Sequence, residues 1–158
     1  MGLSRLAATN FTTFTTRAIQ PTLTGAAEIP PVETTAAGNA AVVVNTARTA
    51  ITYRIELTGL EPGAVTQAHI HVGSKTENGP VIFFLCSDLP GKPAGVQSCE
   101  SLPAVLTGTL TASNLVPRPA NGIETFEDAV GALLNGNTYI NVHSVTHPDG
   151  ELRGQVTL

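Results

Sequence analysis

Thr49-Ala50-Ile51-Thr52-Tyr53-Arg54-Ile55-Glu56-Leu57 alternates without a break. Ile51, Tyr53, Ile55 and Leu57 fall on one side of an extended chain, and Thr52, Arg54 and Glu56 on the other. Side chains on a strand point to opposite faces with a period of two, so this stretch predicts a strand with one buried face. Asn45-Thr46-Ala47-Arg48, just before it, is a hairpin-length turn, and Gly38–Asn45 supplies the partner strand with its β-branched run Val42-Val43-Val44. Further upstream, Thr22–Ala27 is a short strand. Ile29-Pro30-Pro31 follows it and breaks the ladder, because proline has no N–H to donate.

Downstream, the turn cluster Gly59-Leu60-Glu61-Pro62-Gly63 leads into a strand over Val65–Val72. Pro80–Cys86 is a strand with a continuous apolar run, Val81-Ile82-Phe83-Phe84-Leu85, which calls for burial on both sides or a covered edge. Leu106–Ala112 alternates again. One helix is predicted near 125–135. Thr125 caps it with Asp128, Phe126, Val130, Leu133 and Leu134 recur at helical spacing, and Asn135-Gly136 ends it. Thr138–Val145 is a strand, His147-Pro148-Asp149-Gly150 a tight turn, and Glu151–Leu158 the closing strand. Its Leu152, Val156 and Leu158 are assigned to the core side, with Glu151, Arg153 and Gln155 opposite. About seven or eight short strands with one inserted helix predict an all-β, antiparallel β-sandwich.

Composition agrees. The 158 residues are 42% hydrophobic but only 4% aromatic and 13% charged, a balance that suits a β-rich domain of small residues. Length allows one domain with a real core. Net charge is −4 and the eight Lys and Arg are scattered, which argues against a nucleic-acid partner. No apolar run approaches the ~18 residues that span a bilayer.

Residues 1–17 are Thr-rich, with Phe11-Thr12-Thr13-Phe14-Thr15-Thr16, and read as a tail or an extra edge strand ahead of a domain over 18–158. They lack the apolar core of a secretory signal, so no export signal is visible; either one has been removed or export takes another route. Gly2 invites myristoylation, but Leu6 stands where that motif wants Ser or Thr. Cys86 and Cys99 flank a Pro- and Gly-rich loop. They are either two buried thiols or a disulfide worth roughly 3 kcal/mol, and a long loop pinned at both ends favours the disulfide.

All four histidines lie in two segments, Gln67-Ala68-His69-Ile70-His71-Val72-Gly73 and Tyr139-Ile140-Asn141-Val142-His143-Ser144-Val145-Thr146-His147. Ile70 and Val72 take the core side of their strand, which leaves His69 and His71 on the other face, about 7 Å apart at Cα. His143 shares a face with Asn141 and Tyr139. If the strands belong to one sheet, three imidazoles converge. Neutral imidazoles suit copper or zinc. His69, His71 and His143 are therefore the candidate metal ligands, with Asn141, Glu151 and Gln155 as supporting groups that could orient a ring. His147, in a turn beside Pro148, is the weaker ligand. The competing readings are a structural polar network and solvated surface histidines. Ser144 beside His143 is no nucleophile pair, because strand neighbours face opposite ways. Arg153 and Glu151 could pair across the sheet.

The blocks Gln67–Gly73, Asn78-Gly79-Pro80-Val81, Gly108-Thr109-Leu110-Thr111-Ala112, Asn141-Val142-His143-Ser144 and Pro148-Asp149-Gly150-Glu151-Leu152-Arg153-Gly154-Gln155 together resemble the CHRD domain, first described in the developmental inhibitor chordin and found in bacterial extracytoplasmic proteins. The resemblance covers roughly residues 20–158, a domain-sized stretch. It implies an exported sandwich related to the immunoglobulin-like fold of copper–zinc superoxide dismutase, which also carries a His-x-His strand and a later ligand histidine. This chain lacks an acidic ligand in the right place after His71, so a mononuclear rather than a dinuclear site is expected; the dismutase arginine has no secure counterpart here, although Arg153 could sit nearby.

Three functions follow in order of support. The first is an extracytoplasmic, non-enzymatic binding module holding copper or zinc. The second is a structural subunit of a fibre or matrix, a homo-oligomer assembled through edge strands and the N-terminal segment. The third, least supported, is a dismutase-like redox enzyme.

Overall fold

The computed structural model describes residues 18–158. The tail or extra strand expected over residues 1–17, with its role in assembly, lies outside them. Eight strands follow one another: β1 (Thr22–Thr24), β2 (Ala37–Val44), β3 (Ile51–Thr58), β4 (Val65–Val72), β5 (Val81–Ser87), β6 (Leu106–Leu110), β7 (Thr138–Ser144) and β8 (Leu152–Gln155). The helix α1 (Phe126–Leu134) precedes β7. The strands form one antiparallel sheet in the order β5-β4-β7-β8-β1-β2-β3-β6.

The sheet nearly closes on itself, and side chains complete the closure. The Tyr53 hydroxyl on β3 donates to the Leu85 carbonyl on β5 at 2.9 Å. Gln97 Nε2 donates to Tyr53 Oη and to the Thr107 carbonyl on β6, tying the two outermost strands together. The outer edge of β5 is further occupied, because its Ile82 and Val81 carbonyls accept from the Val116 amide and from Arg118 Nε.

The expected β2–β3 hairpin forms with Val44 opposite Ile51, and its turn is held by Asn45 Oδ1, which accepts from the Thr49 and Ala50 amides. In β3 the buried positions are Ile51, Tyr53, Ile55 and Leu57, as the alternation requires. In β5, His69 pairs with Phe84 and Ala68 with Cys86, leaving Leu85 over. Ile70 pairs with Phe83 and His71 with Val81, leaving Ile82 over. These two bulges explain how a continuous apolar run buries itself: each extra residue is re-aimed inward. Ile82, Phe83, Leu85 and Cys86 are all buried. Cys86 is bonded to Cys99.

The capping box opens α1 as expected, with the Asp128 amide donating to Thr125 Oγ1 and the Thr125 amide to Asp128 Oδ2. Phe126, Ala129, Val130 and Leu133 pack into the core, while Leu134 is only partly buried. Leu158, assigned above to the core side, is 80% exposed, because β8 ends at Gln155 and Leu158 lies beyond the ladder. Ladder order then sets the site: β4 lies between β5 and β7, and β8 follows β7.

Candidate metal centre

Cross-strand pairing places His69 opposite Asn141, His71 opposite Tyr139, and Gln67 opposite His143, while Asn141 faces Arg153 and Tyr139 faces Gln155 on β8. One face of β4-β7-β8 therefore carries all these polar and aromatic side chains. It is not a solvated face. His69 is 4% exposed and Arg153 1%, and Tyr139 and Asn141 are equally buried.

His69, His71 and His143 each bring one ring nitrogen within 4.8 Å of the others. The His69 ring meets those of His71 and His143 edge-on, with centroids 5.5 and 5.2 Å apart. His71 Nδ1 lies 2.8 Å from the Gly79 carbonyl, and His143 Nδ1 lies 2.8 Å from the Pro148 carbonyl. A carbonyl can only accept, so Nδ1 carries the proton in both rings and Nε2 carries the lone pair. Those two Nε2 atoms, and both nitrogens of His69, are buried with no hydrogen-bond partner. A buried polar atom without a partner costs about 1–3 kcal/mol.

Burial holds all three rings in the neutral form. It pushes His69 down to about 3, with the neighbouring His143 and His71 adding to the shift. It pushes His71 down to about 4; the Gly79 hydrogen bond opposes this, while His143, Arg153 and Arg118 reinforce it. His143 is also lowered by burial, against the Pro148 contact and Asp149. Neutral imidazoles with free lone pairs brought close together, two of them fixed through Nδ1, are what a metal ion needs from its protein ligands. The donor set fits Zn²⁺ or copper and leaves further coordination positions open.

Aromatic rings wall the cluster. Phe84 meets His69 edge-on at 4.6 Å, and Tyr139 stacks on His71 at 4.8 Å with planes 9° apart. The Arg153 guanidinium carbon lies 3.5 Å from the centre of the Tyr139 ring. Beyond Arg153, Glu28 is 8% exposed and accepts from Asn141 Nδ2. Burial pushes its carboxyl up to about 7, against the pull of Arg153 and the Asn141 hydrogen bond.

The three supporting groups expected from the sequence are engaged elsewhere. Asn141 Nδ2 donates to Glu28 and to the Leu152 carbonyl. Glu151 Oε1 accepts from Thr34 and lies 3.5 Å from His147 Nδ1, so Glu151 does not pair with Arg153. Gln155 Nε2 donates to the Gly73 and Gly136 carbonyls. Glu151 sits ahead of β8, where it meets Thr34, and Gln155 lies in the same cross-strand row as His71 but two strands away, beyond Tyr139. The groups that orient the rings are backbone carbonyls from two loops. Carbonyls have no residue signature, and the one legible trace is Gly79, where an added Cβ would lie 1.6 Å from the Val72 carbonyl oxygen. His147 is not part of the cluster. Arg118 and Glu28 were missed altogether.

A model of the CHRD domain family matches residues 19–156. No curated protein and no solved structure matches the chain.

Proposed function

The chain belongs to the CHRD domain family, and from that premise we propose that it is an extracytoplasmic binding module that holds a single copper or zinc ion on His69, His71 and His143. One observation carries this reading: three rings with partnerless buried nitrogens each bring one nitrogen within 4.8 Å of the others. A structural polar network would satisfy its members, since a half-satisfied buried network is worse than an apolar one. Every other hydrogen bond of the three rings goes to a carbonyl that fixes Nδ1–H, which is the arrangement that frees Nε2 for an ion. A bound ion would supply Lewis acidity at its open positions. The chain's own residues contribute neutral ligands, a dry surround and fixed ring planes. The Cys86–Cys99 bond suits the oxidising setting of exported proteins.

The test is metal analysis of protein purified without a His tag, followed by calorimetric titration with Cu²⁺ and Zn²⁺. One equivalent should bind to wild type, and His71→Ala and His69→Ala should each lose it. Equal, weak binding by all three proteins would sink the reading.

A further inference from the structure

Arg153 is almost wholly buried. A charge in such surroundings is costly unless its hydrogen bonds are met, so its partners show what it is there to hold. None is a carboxylate within salt-bridge reach. Nη1 donates to Asn78 Oδ1 at 3.0 Å, and Nη2 to the Ser74 and Glu77 carbonyls at 2.8 and 2.6 Å. These are the successive turns of the loop that ends at Gly79. Arg153 also places its guanidinium carbon over the ring of Tyr139, its diagonal neighbour across β7 and β8.

Tyr139 makes two kinds of contact with the site. Its ring stacks on His71. At these separations Arg153 and His71 cannot share one face, so the tyrosine ring lies between guanidinium and imidazole. Its hydroxyl accepts from the Gly79 amide at 2.9 Å and donates to the Gly79 carbonyl at 3.2 Å. That carbonyl is the acceptor for His71 Nδ1–H. The face of the His71 ring is thus covered by the ring that Arg153 covers on its other side, and its edge is held by the residue that follows Asn78, which Arg153 binds.

We propose that Arg153 and Tyr139 are positioning residues for His71: Arg153 clamps the 74–79 loop and the Tyr139 ring, and Tyr139 with Gly79 sets the plane and tautomer that turn His71 Nε2 toward His69 and His143. The inference rests on the metal reading above for its purpose, but its geometry concerns the metal-free chain. His69 and His143 touch neither residue in this way, so the effect is confined to one ligand of the three.

The test uses the full chain with Tyr139→Phe and Arg153→Lys. Tyr139→Phe keeps the buried ring and removes only the hydroxyl; Arg153→Lys keeps the charge and removes the planar fork. In metal-free protein, ¹⁵N-detected ring signals should show His71 as a single Nδ1–H tautomer in wild type and as a mixture in both variants, with His69 and His143 unchanged. Cu²⁺ affinity should fall about 10–100-fold in each variant, the usual effect of losing a group that orients a ligand, and the copper EPR hyperfine splitting should change. His71 signals identical to wild type in both folded variants would overturn the proposal, because Arg153 would then merely staple the loop. Should Arg153→Lys fail to fold, Tyr139→Phe decides alone. A wild type that takes up no copper while His71 still changes tautomer in the variants removes the metal reading and leaves the positioning standing.

Discussion

The two faces of the β4-β7-β8 strands are built from alternate residues of the same short peptides, yet they are stabilised by different physics. The inner face presents Ala68, Ile70, Val72, Ile140, Val142 and Leu152, all buried in the common core. The outer face presents His69, Tyr139, Asn141 and Arg153, just as buried, with His71 half-buried beside them. Apolar contacts are non-directional and each large side chain contributes roughly 1.5–3 kcal/mol on burial. The polar face depends on directed bonds, and most of its atoms find them in loop carbonyls. Nε2 of His71 and His143 and both ring nitrogens of His69 do not. A fold can keep one such unsatisfied spot when a ligand completes it, so the inner face should govern stability and the outer face should govern binding.

The largest expected effect lies on the inner face. Ile140→Ala leaves a cavity in a site with no exposure and should cost about 2–5 kcal/mol, read as a lower urea midpoint at unchanged slope. Next comes the ion. If the outer face is a binding site, copper or zinc at 100 times its dissociation constant should stabilise wild type by about 2.7 kcal/mol, reversed by chelator and absent from His71→Ala. An ion that stabilises the His71→Ala protein equally would erase the distinction between the faces. Gly79→Ala should follow, at about 1–3 kcal/mol for a side chain with no room. Its loss of metal affinity should exceed its loss of stability, because it displaces the carbonyl that orients His71.

Much of the inner face is legible in the sequence, and little of the outer face is. Alternation in Ile51–Leu57 or in His69–Val72 assigns a residue to a side, because a strand has only two. It also assigns His69, His71 and His143 to one side, which is why their convergence can be read in advance. Alternation cannot say whether that side is wet or covered. Arg153 reads as a surface charge until the 74–79 loop folds over it. Glu151 and Gln155 read as helpers because they are polar and nearby, while the groups that orient His71 and His143 belong to the backbone of Gly79 and Pro148.

Acid sharpens the comparison further. His69 and His71 have folded values lowered to about 3 and about 4, so the unfolded chain binds their protons first as pH falls below about 6.5. Their contribution to stability is complete above that pH and is lost on acidification, at up to about 1.4 kcal/mol per pH unit for each group. Glu28 has the opposite sign. Its folded value is raised to about 7, so between the ordinary 4.5 and 7 the folded protein holds a proton that the unfolded chain does not, and acidification favours folding. Metal-free protein should therefore lose stability from pH 6.5 to 4.5 less steeply than its histidines alone dictate. Glu28→Gln should steepen that loss by up to about 1.4 kcal/mol per pH unit. Parallel curves for the two proteins, from urea midpoints at several pH values, would mean that Glu28 is ionised throughout.

The smallest expected effect is the most discriminating. His69 is buried, neutral and without a hydrogen-bond partner at either nitrogen. Leu has a similar size and no polar atom to leave unsatisfied, so His69→Leu relieves two partnerless nitrogens and keeps the contact with Phe84. In metal-free protein at pH 7 the change should leave stability within about 1 kcal/mol of wild type, or raise it, whereas a truncation of equal burial on the inner face is severe. The same variant should bind no copper. A marked loss of stability in the metal-free state would mean that His69 has partners its geometry does not reveal, and the outer face would then be a structural network rather than a binding site.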